Sequence, residues 1–474
     1  MLLTEVSKHI ECLRIYNLSK KKFTFNNIQT SSKNVKKLSI FAINNKKKIK
    51  NTYINDAIDK GAVGILSNKY IKNIHLTQFI VKNIDESLYI LLNKLKPFKP
   101  LRSLAITGTN GKTSVAWYIS QICFNNKIKA KSYGTLGYFV DFKKKSNSIL
   151  TTPEFEILHQ TGFSKKKNLY NYIFEVSSHA IDQNRLRQFP VNIAAITNVT
   201  QDHLDYHKNF KNYKETKFKL FSKYLEDGGI AVLNDKIIDI NLLKEKLIKK
   251  QIITYGLKTS DVNLFFKKKK LKLKFFNKEY NLKYSDFSII ELENISCAIA
   301  SCFCINIKIK NILNNVNKII LPPGRLEKVK IDKKKYNVYV DYAHTPDALK
   351  KILIIKTVKN NKPNLVFGCG GNRDKDKRIK MGLIANKYAN RVYVTDDNPR
   401  DEDPFIIRKS ILEKCKKGIE IPNRKDAITQ AIKDLKHNEI LIIAGKGHEK
   451  TQIIKKKHQK FDDLKIAKTQ LLKK

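Results

Sequence analysis

Ile106-Thr107-Gly108-Thr109-Asn110-Gly111-Lys112-Thr113-Ser114 decides the fold. It leaves a strand-like run, Ser103 to Thr107, and enters a helical pattern, Val115 to Cys123. Glycines at 108 and 111 let the backbone wrap a phosphate, whose charge the N–H groups and the helix N-terminus stabilise. Lys112 then reaches the outer phosphates, and Thr113 carries the hydroxyl suited to Mg²⁺. The strict Walker pattern would need Gly at position 106, where this chain has Ile. Strand, glycine loop and helix in this order still predict a phosphate-binding βα unit in an α/β protein.

Outward from this loop, strand-like runs recur at Tyr172 to Val176, Ile193 to Val199 and Ile230 to Leu233, with helical patterns between them. That alternation predicts βαβ units and a mainly parallel sheet. Upstream lie a short strand, Leu38 to Ile43, and a helix-then-strand pattern from Thr52 to Leu66. Downstream, Val338 to Tyr342, Leu365 to Gly368, Val392 to Thr395 and Ile440 to Ala444 repeat the theme. Two proline connectors, Pro97-Phe98-Lys99-Pro100 and Leu321-Pro322-Pro323-Gly324, interrupt regular structure because proline fixes φ and removes a donor. A length of 474 residues fits about three domains.

Composition excludes several classes. Hydrophobic residues make up 42% and charged residues 29%, values of a globular chain with a sizeable core. No stretch reaches the roughly 18 to 20 apolar residues of a membrane span. The N-terminus, with Glu5 and Glu11 and no long apolar run, does not read as a secretory signal, so a cytoplasmic protein without membrane partners is expected. Seven cysteines without a C-x-x-C pair read as reduced thiols. Lys+Arg 93 against Asp+Glu 43 gives a net charge of +50. The lysine runs, such as Lys143 to Lys145 and Lys267 to Lys270, are scattered and do not form one stripe. Lys, Asn and Ile have AT-rich codons, so genome composition accounts for the bias, and no nucleic-acid partner is expected. An anionic small substrate would still benefit from the field.

Several polar clusters end or follow predicted strands: Thr151-Thr152-Pro153-Glu154, Glu175-Val176-Ser177-Ser178-His179, and Thr197 to His207. In open α/β sheets the ligand crevice lies at the carboxyl ends of strands, where the last two clusters fall. Glu175 and His203 are thereby expected to meet Mg²⁺ held by Thr113.

These motifs, with G-R-L-E, D-Y-A-H-T-P-D, G-C-G-G-N-R-D-K-D-K-R, D-D-N-P-R and G-K-G-H-E, stand in the order found in the ATP-dependent Mur ligases, which the chain resembles over nearly its whole length. D-N-P-R with G-K-G-H-E is similar to the branch that uses meso-2,6-diaminopimelate. The resemblance implies a three-domain α/β architecture. Residues 1–98 would form a uridine-nucleotide-binding domain, 99–322 a central P-loop ATP-binding domain, and 323–474 a Rossmann-like amino-acid-binding domain. It implies a monomeric enzyme of cytoplasmic peptidoglycan precursor synthesis. Such an enzyme adds diaminopimelate to UDP-N-acetylmuramoyl-L-alanyl-D-glutamate through an acyl phosphate, using ATP and Mg²⁺.

Residue by residue, the resemblance gives ATP to Gly108, Thr109, Asn110, Gly111, Lys112, Thr113, Ser114, Asn294, Arg325, Asp341 and His344. Thr113, Glu175, His203 and a CO₂-derived carbamate on Lys217 would hold the metal, and Lys112, Glu175, His203 and Lys217 would serve catalysis. Only a neutral amine reacts with CO₂, so Lys217 should have a depressed pKa; Lys214 and Lys219 are sequence neighbours that the pattern does not separate from it. Thr30, Ser32, Lys47, Lys48, Ile49, Leu150, Thr151, Thr152, Ser177, Gln183 and Arg185 would bind the UDP-muramoyl dipeptide. Arg373, Asp397, Asn398, Pro399, Arg400, Gly445 and Glu449 would bind diaminopimelate. Arg400 suits its distal carboxylate, which a guanidinium grips bidentately. The chain departs from the family pattern in the lysine-rich stretch Asn44 to Lys50, at Leu150, and at Ile290-Glu291 before Asn294. The alternatives are a lysine-adding Mur ligase or a folylpolyglutamate synthase, both disfavoured by D-N-P-R. A nucleic-acid binder with relic motifs would instead show steeply salt-dependent binding.

Overall fold

Ser103–Thr107 is buried at every position, and its neutral sequence suits a strand covered on both faces. The computed structural model describes residues 1–18, 22–43, 50–167, 169–268, 270–282, 287–331, 336–358 and 361–474. Ser103–Thr107 lies inside an eleven-stranded sheet, between Val191–Ile196 and Asn171–Glu175, both parallel to it. The parallel run extends through Ala130–Gly134 on one side and through Leu225–Asn234, Gln251–Tyr255 and Val262–Lys267 on the other. Antiparallel strands close both ends, among them Lys270–Phe275 and Lys278–Leu282. The expected mainly parallel sheet therefore holds in the middle and not at the edges. Lys270–Phe275, one strand in from the edge, alternates strictly: Leu271, Leu273 and Phe275 are buried while the lysines between them face outward, so the strand covers the core with one face.

A second sheet, of five strands, is built within residues 14–80, with Ala62–Ser67 and Ser39–Ile43 at its centre. A third, of six strands, falls within 327–444 and runs parallel except for Glu327–Lys328. The proposed divisions after residues 98 and 322 fall between these sheets. Apolar packing crosses the first division: one buried cluster runs from Leu3 and Val6 through Leu88 and Leu91 to Phe155, Leu158 and Phe189. A separate cluster fills the other face of the central sheet, where Val115, Ile119 and Ile122 of the helix Lys112–Asn125 meet Ile295, Ala298 and Ile299 of the helix Ile289–Cys304. Two further clusters cover the two faces of the third sheet. The seven cysteines are free, and six are buried. Among the described residues, no helix is long and apolar enough to cross a membrane.

Candidate active site

The carboxyl ends of the three central strands place the glycine loop, Glu175 and Thr197 side by side. Gly108 (φ 144) leaves no room for a side chain, since a Cβ there would stand 1.8 Å from Thr197 Oγ1. Gly111 (φ 86) caps the helix Lys112–Asn125, and a Cβ would reach within 2.4 Å of Asn294 Oδ1. Asn198 accepts from the N–H of Thr109 (2.9 Å) and of Asn110 (3.0 Å), so the loop's shape is held from the neighbouring strand end. The Lys112 ammonium folds back onto the carbonyls of Gly108 (2.7 Å) and Thr109 (2.9 Å). Desolvation lowers its pKa, against the raising influence of Glu175 and Asp202.

Glu175 ends its strand 2% exposed. Thr113 Oγ1 donates to its Oε2 (2.9 Å), and the Thr135 N–H donates to its Oε1 (2.8 Å). Burial raises the carboxyl's pKa even with Lys112 nearby, so a buried carboxylate here gains from any further cation. His203 sits at φ 54, uncommon for a non-glycine residue, at the start of the short helix Leu204–His207. Its Nε2 lies 3.4 Å from Asp202 Oδ2, yet burial drives its pKa down to about 3 and keeps the ring neutral, with a lone pair available. Burial would raise the Asp202 pKa, but His203, Lys377 and His344 outweigh it and bring the value to about 2.

Lys217 lies on the inner face of the helix Phe210–Lys219 with Tyr213 and Thr216, at i, i+3 and i+4 spacing. It is 1% exposed, donates to the Gly108 carbonyl (2.9 Å) and stands 4.5 Å from the Tyr213 ring centroid. Desolvation, reinforced by Lys112, pushes its pKa well below the ordinary lysine value. Lys214, by contrast, pairs with Asp239, and Lys219 is exposed. Burial thus separates three lysines that sequence left alike.

A polar cleft of about 250 Å³ collects many of the expected residues. The loop residues Thr109 to Thr113, Thr151, Glu175, Ser177 and His203 line it from the central sheet. Arg325, His344, Arg373, Asp397, Asn398, Arg400, Gly445 and Glu449 line it from the third. Arg400 (φ 52) is held by a backbone bridge to Ile454 and donates from Nη1 to the Gly371 carbonyl (2.9 Å). The Pro399 carbonyl stands 1.9 Å from where a Cβ on Gly371 would be, so this turn permits only glycine opposite it. Arg325 lies 4.4 Å from the Tyr342 ring centroid, and His344 Nδ1 is 2.9 Å from the Tyr342 carbonyl.

Ser114, Asn294 and Asp341 line an adjoining cavity of about 100 Å³, together with Tyr118 and Ala348. Asp341 accepts from the N–H groups of Leu326 and Ala343, both at 2.7 Å. Thr152 lies just below the cleft: its hydroxyl donates to the Glu175 carbonyl (2.9 Å) and accepts from the Ser177 N–H (2.9 Å). Arg185 donates to the Thr152 carbonyl (3.1 Å) and to Gln183 Oε1 (2.9 Å from Nε). Leu150 opens onto a third cavity of about 430 Å³, shared with Gln29, Ser31 and Lys33. Thr30 and Ser32 lie beside that cavity and not in its wall: Thr30 Oγ1 donates to Glu156 (2.6 Å), and Ser32 is buried. Lys47, Lys48 and Ile49 fall outside the described residues. Thr135, Asp202, Tyr342, Gly370 and Lys377, which are outside the expected set, also line the cleft. Asp202, Tyr342 and Lys377 lie within the motifs Thr197 to His207, D-Y-A-H-T-P-D and G-C-G-G-N-R-D-K-D-K-R, whose spacing does not tell which of their side chains face the cleft.

The model of the Mur ligase middle domain matches residues 106–305, and that of the Mur ligase glutamate ligase domain matches 324–447. The UDP-N-acetylmuramoyl-L-alanyl-D-glutamate–2,6-diaminopimelate ligase of Rickettsia rickettsii is 39% identical over 459 residues, covering 93% of this chain and 94% of its own. The ligase of the same name from Buchnera aphidicola subsp. Schizaphis graminum is 34% identical, covering 96% of each chain. A solved structure of a ligase of that name superposes with a TM-score of 0.61 at 27% identity, covering 95% of each chain. MurF from Thermotoga maritima in complex with ADP superposes with a TM-score of 0.65 at 17% identity, covering 96% of this chain and 97% of its own, and so shares the fold. Two family models over most of the sequence, and relatives matched along nearly all of it, lead to one conclusion: the chain belongs to the Mur ligase family.

Proposed function

We propose that the chain joins meso-2,6-diaminopimelate to the D-glutamate of UDP-N-acetylmuramoyl-L-alanyl-D-glutamate at the cost of ATP, in cytoplasmic synthesis of peptidoglycan precursors and as a monomer. The observation that carries this is one cleft in which the glycine loop and Glu175 face the Asp397–Arg400 turn and Glu449. The relatives of that name support it at 34 to 39% identity.

The γ-phosphoryl group of ATP passes to the D-glutamate carboxylate, releasing ADP and giving an acyl phosphate. The amine of diaminopimelate attacks the acyl carbon, loses a proton, and phosphate leaves with the amide formed. The glycine loop's N–H groups and Lys112 hold the ATP phosphates and spread the charge of the moving group, so catalysis is largely positioning and electrostatics. Asn294, Arg325, Asp341 and His344 hold the rest of the nucleotide. Thr151, Thr152, Ser177, Gln183 and Arg185 hold the muramoyl dipeptide, with Thr30, Ser32 and Leu150 toward its uridine end. Arg400, with Arg373, takes the distal carboxylate of diaminopimelate bidentately, a group lysine lacks. Asp397 and Glu449 take its ammonium, with Asn398 holding Glu449 in place.

Thr113, Glu175 and His203 would hold Mg²⁺, joined by Lys217 as a carbamate. The hydroxyl and carboxylate, 2.9 Å apart, are hard oxygen donors, and a desolvated Lys217 amine is the reactive form toward CO₂. When bound, Mg²⁺ supplies neutralisation of the phosphate oxygens.

The test is phosphate release and product mass with ATP, Mg²⁺ and the UDP-muramoyl dipeptide, comparing meso-diaminopimelate with L-lysine. A tripeptide product with diaminopimelate alone is expected. Equal turnover of lysine would remove Arg400 as the reader of the distal carboxylate, and absence of product with either amine from folded protein would sink the activity.

A further inference from the structure

Lys446 is the one lysine of the described chain that is 0% exposed. A lysine is seldom buried unless its charge is paired. Its Nζ donates to Asn398 Oδ1 at 2.9 Å and to Glu449 Oε2 at 3.1 Å. The glycines on either side pin the loop that delivers it. A Cβ on Gly445 would stand 2.6 Å from Asp397 Oδ2, and one on Gly447 would stand 2.7 Å from the Gly324 carbonyl oxygen. With both flanks pressed against neighbouring chain, the side chain between them is directed inward.

The consequence reaches the two acceptors. Asn398 Oδ1 takes a second hydrogen bond from the Ile453 N–H (2.9 Å), so the amide oxygen is fully engaged and the amide is fixed in one orientation. Its Nδ2 must then point the other way, and it donates to Glu449 Oε2 at 2.9 Å. Asn398 and Lys446 thus hold the same carboxylate oxygen, leaving Oε1 as the oxygen available to a ligand in the cleft. The Glu449 side chain is 30% exposed, as a group at the cleft wall should be.

We infer that Lys446 is a positioning residue for the amino-acid substrate: it never touches the substrate, and it fixes Glu449, directly and through Asn398, in the orientation whose free Oε1 receives the substrate's ammonium. This rests on the function proposed above for that end of the cleft. Without Lys446, Asn398 Oδ1 keeps only the Ile453 N–H, and Glu449 keeps one partner in place of two.

The experiment compares the full-length wild type with Lys446→Met, Lys446→Arg, Glu449→Gln and the double variant Lys446→Met/Glu449→Gln. KM for ATP, the UDP-muramoyl dipeptide and meso-diaminopimelate are measured separately. Lys446→Met should raise the diaminopimelate KM by about tenfold or more, the scale of losing one charge-assisted hydrogen bond, and leave the other two KM values within about twofold. Lys446→Arg should recover part of the loss, and adding Lys446→Met to Glu449→Gln should cost little more. An unchanged diaminopimelate KM, equal rises in all three, or fully additive losses would overturn the inference. Where the Met variant does not fold, Lys446→Gln, which donates to one partner, carries the same comparison. A crystal structure of the Met or Gln variant gives a readout independent of turnover: Asn398 and Glu449 unmoved would overturn the inference. A wild type that makes no product would instead overturn the proposed reaction.

Discussion

Lys217 lies where a lysine is least at ease, 1% exposed and 2.9 Å from a carbonyl of the phosphate loop, with Lys112 as a nearby like charge. Converting its amine to a carbamate exchanges a disfavoured cation for an anion beside Lys112. Lys217→Ala is therefore expected to cut kcat by about a hundredfold or more, the scale of removing one electrostatic contributor to the reacting centre. Intact-mass analysis under bicarbonate should show the carbamate's added mass on the wild type and not on the variant; full activity of the variant would remove Lys217 from the mechanism. His159 makes a different use of burial. It is 0% exposed, stacks on Phe163 at 3.9 Å and places Nε2 2.9 Å from Asn93 Oδ1. Burial, aided by Lys96, pushes its pKa down to about 3, whereas the unfolded chain takes up that proton near pH 6.5. The unfolded state thus binds more protons between those values. Stability is complete above about pH 6.5 and falls as the pH drops toward about 3, by up to ~1.4 kcal/mol per pH unit from this group. Urea midpoints at pH 7 and pH 5 should lie closer together for His159→Gln than for the wild type, the remaining gap belonging to the other histidines whose pKa burial depresses, His203 among them; an equal gap in both would remove His159 from the acid sensitivity.

Elements carry these residues, and their ends decide how firmly. The helix Phe210–Lys219, which presents Lys217, is capped by Asn209, whose Oδ1 accepts from the Asn212 N–H at 2.8 Å. Asn209→Ala should cost ~1 kcal/mol, the usual worth of such a cap. It should also speed hydrogen exchange across that helix; unaltered exchange would show the helix to be held by packing alone. The strands behind the site were legible because their chemistry is unambiguous. Ser103–Thr107 and Ile440–Ala444 fall where the apolar runs put them, and Asn171–Glu175 is displaced by one residue. Lys270–Phe275 is less legible: its Leu-Lys-Leu-Lys alternation is that of a half-buried strand, but in a chain with lysine runs throughout, the same residues also fit a solvated charged stretch. Of the site, the motifs indicated which residues belong together. They did not convey burial, which is a property of three-dimensional packing, so the resemblance alone singled out Lys217 over Lys214 without its physical reason, and the place of Lys446 was not accessible from the sequence.

At the scale of the whole molecule, the cleft draws its walls from both sides of the Leu321-Pro322-Pro323-Gly324 connector, so the connector's anchorage sets how the two walls face one another. The phosphate-loop helix provides that anchorage. Trp117, the chain's single tryptophan, donates from Nε1 to the Ile320 carbonyl at 3.0 Å. Gln121, one turn further on, donates to the same carbonyl at 2.7 Å and accepts from the Ile320 N–H at 3.0 Å. A glutamine satisfying both backbone groups of one residue acts as a strand partner would, and it ties the connector to the helix that the glycine loop caps. Gln121→Leu removes both bonds while keeping the side chain's bulk. Each is worth roughly 0.5 to 1.5 kcal/mol, so a loss of about tenfold in kcat/KM is expected. A misplaced wall is felt by every substrate that spans the cleft, so the loss should be similar for ATP, the UDP-muramoyl dipeptide and diaminopimelate. In that respect it would differ from the diaminopimelate-selective loss expected at Lys446. Steady-state kinetics with each substrate varied in turn separates the two patterns: a loss confined to one substrate would show that the Gln121 contact shapes a local pocket, and that the two walls are held together elsewhere.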